Sequence, residues 1–561
     1  MSLDGTEVTP DDLASRLLDV LIRFHPMDES LFGLAECDSR LPDLGEEAQA
    51  DEVATLRDVA AQAARLDVSS MDERSRQTAD LVRYTAPVRA DAAAVPFIEF
   101  TVGDFQGAPV AWVLAMMPKA PLSTNDQADA YIARLEGLPA FLETAAARHV
   151  RGVDAGRTPV SRLVQAAIAQ LDELLTDPKV AGLRRRRAED AAFAERVDRS
   201  IDDAVLPALA RYREVLSSRL LGAARDDAHC GLCHLPDGDA MYTALARLYT
   251  SIERAPEELH RTGLEIAEQI NEEYRHLGGR AWHTTDLGSI LERLRTDPEL
   301  RYHDGQEILA DVRAALARAE EAAPGWFGVL PEDSCLVEPM PPVEEGSAPP
   351  YYMPPTLDGS QPGTCYVNTS RATERSRADT ESTAFHETVP GHHFQLTIAH
   401  HLPGLSLARR VLHDTACVEG WALYAERLAG EMGLYSDDLA RFGMLTGDMW
   451  RAGRLVVDTG IHLLGWTREQ AMDWFSANVP LPRLVIEAEV NRYITYPGQA
   501  LAFMVGRLEF ERLRQTSAAR LSSRFSVRAF HDVILRAGPL PLAAMAGVVE
   551  RWIDTVEPTV A

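Results

Sequence analysis

The segment AFHETVPGHHFQLTIAHH, residues 384–401, holds five of the chain's 16 histidines and opens with His386-Glu387. In the helical zinc-protease motif His-Glu-x-x-His, two histidines four residues apart share one helix face, and the glutamate reaches a metal-bound water. Here the fourth residue after His386 is Pro390, which lacks an N–H and clashes with the preceding helical turn. The segment therefore predicts a metal site in which an insertion interrupts the helix.

Two histidines after the insertion compete for the role of second ligand. His392 lies six positions after His386, and His393 lies seven positions after it. A regular helix turns by about 100° per residue, so seven positions return to the starting direction and six do not. Periodicity favours His393, but the Pro390-Gly391 pair makes the helix irregular, and both histidines stay open on this ground.

A third ligand is expected from the segment HDTACVEGWALYAERLAGEMG, residues 413–433. Glu419 lies there among apolar neighbours, and a carboxylate in such a setting needs a partner or a metal. Glu426 follows seven residues later on the same helical face and is the alternative.

The rest of the chain reads mostly as helix. Apolar residues recur every three to four positions, for example over residues 245–277 and 306–323. Residues 324–369 differ, because they contain ten prolines and the short β-type runs SCLVE and TCYVN between turn signals. A small β-sheet is therefore predicted immediately before the His-Glu segment.

Composition excludes several classes of function. The 561 residues carry a formal net charge of −29, which disfavours binding to nucleic acids or to anionic membrane surfaces. No apolar run approaches the ~20 residues of a membrane span. The opening MSLDGTEVTPDDLASRL has no basic start followed by an apolar core, and six cysteines do not suggest a disulfide framework. A soluble, cytoplasmic protein is expected.

Three segments in order, HETVPGHHFQ, VEGWALYAERL and NRYITYPGQALAFMVGRLEF, resemble the bacterial family called domain of unknown function 885. Two upstream segments, LPDGDAMYTALARLYTSIERAPEELHRTGLEIAEQI and DGSQPGTCYVNT, look like blocks of the same family. The clear resemblance covers roughly residues 230–515. That family is grouped with the gluzincin-type zincin metallopeptidases.

The resemblance implies a mainly α, large helical zincin-like fold with a deep cleft and a small β-sheet next to the active-site helix. Residues 1–235 would form an N-terminal helical part that walls the cleft. Residues 236–561 would form the catalytic part. The expected substrate is a short peptide, because a deep cleft excludes folded proteins.

The resemblance also implies roles for single residues. Related enzymes carry His-Glu-x-Gly-His, which aligns Gly391-His392 with the Gly-His of that pattern and so favours His392 over His393. His386, His392 and Glu419 would bind one zinc ion per chain, and Glu387 would be the general base.

Two further roles follow from the same resemblance. Tyr493 would hydrogen-bond the tetrahedral oxyanion, with Arg492 and Tyr496 as rivals for that role or for binding a substrate carboxylate. The segment GTCYVN, residues 363–368, would be an edge strand that pairs with an extended peptide.

A second segment matches a motif for a different cofactor. The segment from His229 to His234 reads HCGLCH and contains Cys-x-x-Cys-His, the pattern for covalent haem attachment. Haem attachment of this type takes place outside the cytoplasm, so Cys230 and Cys233 are interpreted as incidental thiols. An accessory metal site or a disulfide is the next interpretation, and haem is the last.

Two other functions fit the same sequence. One is a non-catalytic helical binding protein that has kept a zincin scaffold, against which the intact His386-Glu387 pair and Glu419 argue. The other is a metallohydrolase that cleaves an amide bond outside a peptide.

Overall fold

The computed structural model describes residues 8–557, apart from residues 28–33, 106, 177–181, 189, 342–348, 358 and 360. The described chain is mainly helical and contains one small β-sheet. These two features confirm the predicted secondary-structure class, while the zincin-like arrangement and the deep cleft remain predictions.

The helices of the first part of the chain are α1 Pro10–Phe24, α2 Glu46–Ala63, α3 Glu73–Ala93, α4 Phe97–Phe100, α5 Pro109–Met116, α6 Asn125–Asp154, α7 Ser161–Thr176, α8 Ala191–Ser200 and α9 Leu206–Val215. Helices α8 and α9 each continue into a π-helical turn, at Ile201–Val205 and Leu216–Leu220.

The helices of the second part are α10 Gly238–Thr250, α11 Pro256–Ala281, α12 Leu287–Thr296, α13 Gly305–Trp326, α14 Asp379–Glu387, α15 His392–His401, α16 Leu407–Val411, α17 Thr415–Glu431, α18 Asp438–His462, α19 Arg468–Asn478, α20 Arg483–Thr495, α21 Ala502–Leu521, α22 Val527–Ala537 and α23 Leu542–Val556.

Of the two segments with the clearest helical periodicity, one lies within a single helix and the other is divided between two helices. Residues 306–323 lie within α13, as predicted. Residues 245–277 are divided between α10 and α11, because Ser251 ends the first helix with a left-handed φ of 49°. Pro256 then begins the next helix, a position where its missing N–H costs nothing.

The predicted small sheet is present within the proline-rich segment. Its strands are β1 Leu336–Pro339, β2 Tyr351–Met353 and β3 Thr364–Val367, in the order β1-β3-β2. Strand β3 pairs parallel with β1, with Val337 opposite Cys365, and antiparallel with β2, with Tyr352 opposite Cys365.

One prediction about this sheet is wrong. The segment GTCYVN contains β3, and β3 is the central strand among the described strands rather than an edge. The reason is that β1 pairs with one edge of β3 and β2 pairs with the other, so both hydrogen-bonding edges of β3 are occupied. Among the described strands, β1 and β2 are the edges, so an extended partner would pair with one of them.

The buried apolar side chains form two clusters. The larger cluster joins residues of α1–α3 to residues of α10–α23 and surrounds the His-Glu segment. The smaller cluster consists mainly of residues between 98 and 220, in α5–α9 and the turns that follow. The first three helices thus share a core with the C-terminal half, and the division near residue 235 stays a prediction.

Candidate metal centre

The inserted residues carry the chain from α14 into α15 through a tight fold. Helix α14 ends at Glu387, and α15 begins at His392. Between them, Gly391 lies directly on α14: a Cβ added there would be 1.9 Å from the carbonyl oxygen of His386. Only glycine permits so close an approach, so the insertion folds back and starts the new helix beside the end of the old one.

Helix α17 is positioned by two contacts, one with this fold and one with α21. The indole Nε1 of Trp421 donates a hydrogen bond to the carbonyl oxygen of Pro390 at 2.8 Å. The backbone at Gly420 approaches α21 so closely that an added Cβ would be 2.3 Å from the Cα of Gly506. The residue before this glycine is Glu419, whose position is therefore set by backbone packing.

Three predicted ligands come together at this junction. The Nε2 atoms of His386 and His392 lie 3.6 and 3.4 Å from Oε2 of Glu419. The two imidazole rings are nearly perpendicular, with centroids 4.7 Å apart. Among the residues that the structure describes, no other group of three His, Cys, Asp or Glu side chains brings its donor atoms this close together.

The spacing and chemistry of these donors fit a zinc ion. Zinc binds imidazole nitrogen and carboxylate oxygen at about 2.0–2.2 Å in tetrahedral geometry, which places neighbouring ligand atoms roughly 3.4 Å apart. The two separations from Glu419 match that value and exceed an ordinary hydrogen bond. Two nitrogens and one oxygen also leave a fourth position, as catalytic zinc sites require.

Glu426, the predicted alternative to Glu419, lies behind His386. Its Oε1 is 2.8 Å from Nδ1 of His386, and its Oε2 accepts a hydrogen bond from the hydroxyl of Ser382. The side chain is only 2% exposed. A carboxylate in this position fixes the orientation of the ring and directs Nε2 toward the other donors.

His393, favoured by helical periodicity, is directed elsewhere. Its Nδ1 lies 3.0 Å from the hydroxyl of Tyr352 on β2, and its Nε2 lies 3.1 Å from the carbonyl oxygen of Asp333. Burial lowers the pKa of His393 to about 4. The ring joins α15 to the sheet, and His392 is the histidine beside Glu419.

The charges of the cluster stabilise one another. Burial lowers the pKa of His386, but the carboxylates of Glu419 and Glu426 outweigh burial and raise that pKa to about 9. Burial raises the pKa of Glu419, and the two histidines reverse this and hold it well below its usual range. Binding of a metal would release the proton from His386, since only the neutral ring is a ligand.

The candidate general base differs from the other carboxylates. Glu387 is buried, and burial raises the pKa of its carboxyl group although His386 and His392 lower it in part. It follows His386 directly at the end of α14, where the helix stops. A carboxyl group with a raised pKa beside a candidate metal site is a better proton acceptor than an ordinary carboxylate.

Tyr493 has its hydroxyl already engaged. The hydroxyl donates to Oε2 of Glu489 at 2.6 Å and lies 3.2 Å from nitrogen atoms of Arg454 and Trp450. The side chain is fully buried, and its role as oxyanion donor stays a prediction.

The two rivals of Tyr493 lie in the same region. Arg492 is 3.3 Å from Glu489 and donates a hydrogen bond to the side chain of Gln499. Tyr496 packs its ring edge-on against Tyr249, with centroids 5.3 Å apart.

Two contributors to this site were not predicted from the sequence. Ser382 lies one helical turn before His386 on the same face, so the spacing alone could have suggested it. Phe503 stacks on His386 with ring centroids 6.5 Å apart, and it comes from α21. Its contact depends on helix packing, and no local pattern around residue 503 signals it.

The Cys-x-x-Cys-His motif forms no comparable cluster. The Sγ atoms of Cys230 and Cys233 lie 3.7 and 3.6 Å from the carbonyl oxygens of Trp466 and Ile461. Burial raises the pKa of Cys230 to about 12, and the described cysteines are free thiols. Ligation needs a thiolate, so this environment favours the interpretation as incidental thiols.

A cavity of about 690 Å³ lies between the N-terminal helices and the C-terminal part. Its lining includes residues of α1, α3, α5 and α10, together with Thr415, Tyr496 and Gln499. None of the three clustered ligands lines it. Thr415 nevertheless lies one helical turn before Glu419 on the same face of α17.

The fold and this site together define a mainly helical protein with a candidate metal centre at the junction of α14, α15 and α17. The chain belongs to the family of bacterial proteins of unknown function called DUF885, whose sequence profile matches residues 26–549. No curated protein matches the chain. Within the described residues, no helix is both long enough and apolar enough to cross a bilayer.

Two solved structures share the fold. One, titled a "putative lipoprotein" from Colwellia psychrerythraea, is 25% identical, with a TM-score of 0.88 over 98% of this chain and 100% of that one. The other, titled a "putative lipoprotein of unknown function" from Shewanella oneidensis, is 17% identical, with a TM-score of 0.74 over 96% and 99%. Those names concern those proteins, and the cytoplasmic location stays a prediction here.

Proposed function

We propose that this protein is a zinc-dependent metallopeptidase of the gluzincin type that hydrolyses short peptides. The observation that carries the proposal is the convergence of His386, His392 and Glu419, with both histidines presenting Nε2 to one carboxylate oxygen. The resemblance of the inserted motif to His-Glu-x-Gly-His supports the same function. A bound zinc ion would polarise the scissile carbonyl and acidify a water molecule.

The residues of the chain supply positioning and proton transfer. Glu426 and Ser382 hold the ring of His386 in place from behind. Glu387 would take a proton from the attacking water and pass it to the leaving amine, a role to which its raised pKa is suited. The buried surroundings of these side chains strengthen each electrostatic interaction among them.

The proposal is tested with purified protein loaded with zinc and with the same protein after chelation. Each is incubated with a mixed library of peptides of four to ten residues, and the products are identified by mass spectrometry. Cleavage by the zinc-loaded protein, lost on chelation and restored by zinc, is the expected result. Zinc-loaded protein that binds peptides without cleaving any of them would contradict it and favour a non-catalytic binding protein.

A further inference from the structure

A short stretch of α18 faces accessible space beside the candidate metal centre. From Leu445 to His462 every residue of this helix is buried except Trp450 and Arg451, which are partly exposed. These two partly exposed residues in an otherwise buried helix border space that solvent reaches. Arg451 is therefore a charged side chain at the wall of such a space.

Among the residues that the structure describes, Arg451 forms no direct ion pair with a carboxylate, and its charge acts on the buried carboxyl groups of Asp379 and Glu387 only through space. Its polar contact is a long one, from Nη1 to the carbonyl oxygen of Gly447 at 3.4 Å, and its Nε is buried without a partner. The guanidinium lies over the rings of Trp450 and Phe503, at 5.0 and 6.0 Å from their centroids. Such stacking holds the group in place and leaves its N–H edge for a ligand.

The position of Arg451 is adjacent to the metal ligands. A Cβ placed on Gly447 would lie 2.9 Å from Oε2 of Glu426 and 3.3 Å from Nη1 of Arg451. The other oxygen of that glutamate is the one that holds His386. The guanidinium of Arg451 and the carboxylate that holds His386 thus lie next to the same point beside Gly447.

Two more arginines share a single carboxylate, and one of them, Arg454, also contacts Phe503. Arg454 and Arg492 are 3.2 and 3.3 Å from Oε2 of Glu489. Within the described part of the chain, Nη1 of Arg454 and Nε of Arg492 are buried and have no partner. The guanidinium of Arg454 lies 4.3 Å from the centroid of the Phe503 ring, which also stacks with His386.

Arg454 and Arg492 thus share the single carboxylate of Glu489, and Arg451 lies over the same two rings, Trp450 and Phe503, as Arg454, in a chain whose formal net charge is −29. Buried charges that lack a partner are costly, and the planar fork of arginine matches a carboxylate. We infer that Arg451, with Arg454 and Arg492, binds the free α-carboxylate of a short peptide. This inference rests on the proposed function and deepens it, because it names the end of the substrate that the site recognises.

The shared contact with Phe503 places the proposed carboxylate site near the metal ligands. The guanidinium of Arg454 lies 4.3 Å from the centroid of this ring, and the centroid of the His386 ring lies 6.5 Å from it. An extended peptide spans about 3.5 Å per residue, so a carboxylate bound here leaves room for roughly one or two residues before the scissile bond. The site would release the C-terminal residue or a C-terminal dipeptide.

Equilibrium binding of two matched peptides tests the inference. Zinc-supplied Glu387→Gln protein, in which turnover is blocked, is titrated calorimetrically with N-acetyl-Gly-Phe-Ala as the free acid and as the C-terminal amide. The free acid should bind about ten- to hundredfold more tightly, as charge-assisted hydrogen bonds predict. Adding Arg451→Gln should abolish this preference while leaving the affinity for the amide unchanged, and Arg451→Lys should keep part of it.

The outcomes separate the inference from the proposed function. Equal affinity for acid and amide in the Glu387→Gln protein would overturn the inference, even if the wild type cleaves peptides. A preference for the acid in a protein that cleaves nothing would support the carboxylate site and count against the peptidase. If Arg451→Gln fails to fold, Arg492→Gln replaces it, and an undiminished preference in that variant would overturn the inference.

Discussion

Two segments of this chain resemble metal-binding motifs, and only one of them brings its donor atoms together with those of another helix. HETVPGHH, residues 386–393, is interrupted by a proline and a glycine, yet two of its histidines meet Glu419 from another helix. HCGLCH, residues 229–234, has the better spacing, yet its two thiols lie against backbone carbonyl oxygens. Whether donor atoms form a metal site thus depends mainly on how helices distant in the sequence pack together. The spacing of the donors within one segment is a weaker guide.

The two segments also differ in the side chains that support their potential ligands. The ring of His386 has a carboxylate behind it, and that carboxylate has a hydroxyl donor of its own. Cys230 has no such support, and its raised pKa keeps it a thiol. Supporting residues of this kind are what orient and activate ligands in metal sites.

The largest expected effect concerns Glu387 in the first segment. Replacing Glu387 with Gln removes the proton acceptor and keeps the size of the side chain, so kcat should fall by about 10²- to 10⁴-fold. Zinc content, measured by plasma mass spectrometry, should stay at the wild-type value. A variant that retains full turnover would show that another group accepts the proton.

The next effect tests the backbone fold that joins the two histidines. Gly391→Ala places a methyl group against the His386 carbonyl, so the free energy of unfolding should fall by about 3 kcal/mol or more. Urea denaturation followed by circular dichroism measures this change. Gly325→Ala is the matched control, because a Cβ there meets nothing within 4 Å. Equal stability of the two variants would contradict the described loop.

A smaller effect is expected behind the ligands. Glu426→Gln keeps a side chain of the same shape but removes the charge that orients His386, so zinc affinity should fall about 10- to 100-fold. Competition with a chromogenic chelator gives the dissociation constant. An affinity unchanged from the wild type would show that this carboxylate has no part in the site.

The smallest effect is expected in the second segment. Replacing Cys230 and Cys233 together with Ala should leave zinc content and peptide cleavage unchanged, because neither thiol belongs to the cluster. The free energy of unfolding should fall by only about 1 kcal/mol, from lost packing of the buried Cys230 and the partly buried Cys233. Loss of zinc from this double variant would show that the second segment binds the metal.

Much of the fold could be predicted from local patterns. Apolar periodicity placed α13, and the prolines of residues 324–369 indicated the small sheet. The order of its strands could not be predicted, because pairing depends on which short segments return to β3. Periodicity also ran across the break at Ser251, where Pro256 was the local signal of a new helix.

The candidate site was predictable in its parts but not in its arrangement. Periodicity favours His393, but it applies only to a regular helix, and Gly391 turns the chain back at this point. Comparison with a related motif pointed to His392, the residue that lies beside Glu419. The second carboxylate, Glu426, shares a helical face with Glu419, so spacing could not tell which one faces the histidines and which one lies behind them.

The most direct test is the zinc content of purified, zinc-reconstituted wild type, His392→Ala and His393→Ala, measured by plasma mass spectrometry. Both variants remove one histidine from the same turn of α15, so they are matched in size and position. About one zinc ion per chain is expected in the wild type and in His393→Ala, and none in His392→Ala. Zinc kept by His392→Ala and lost by His393→Ala, or a wild type that takes up no zinc, would contradict the site described here.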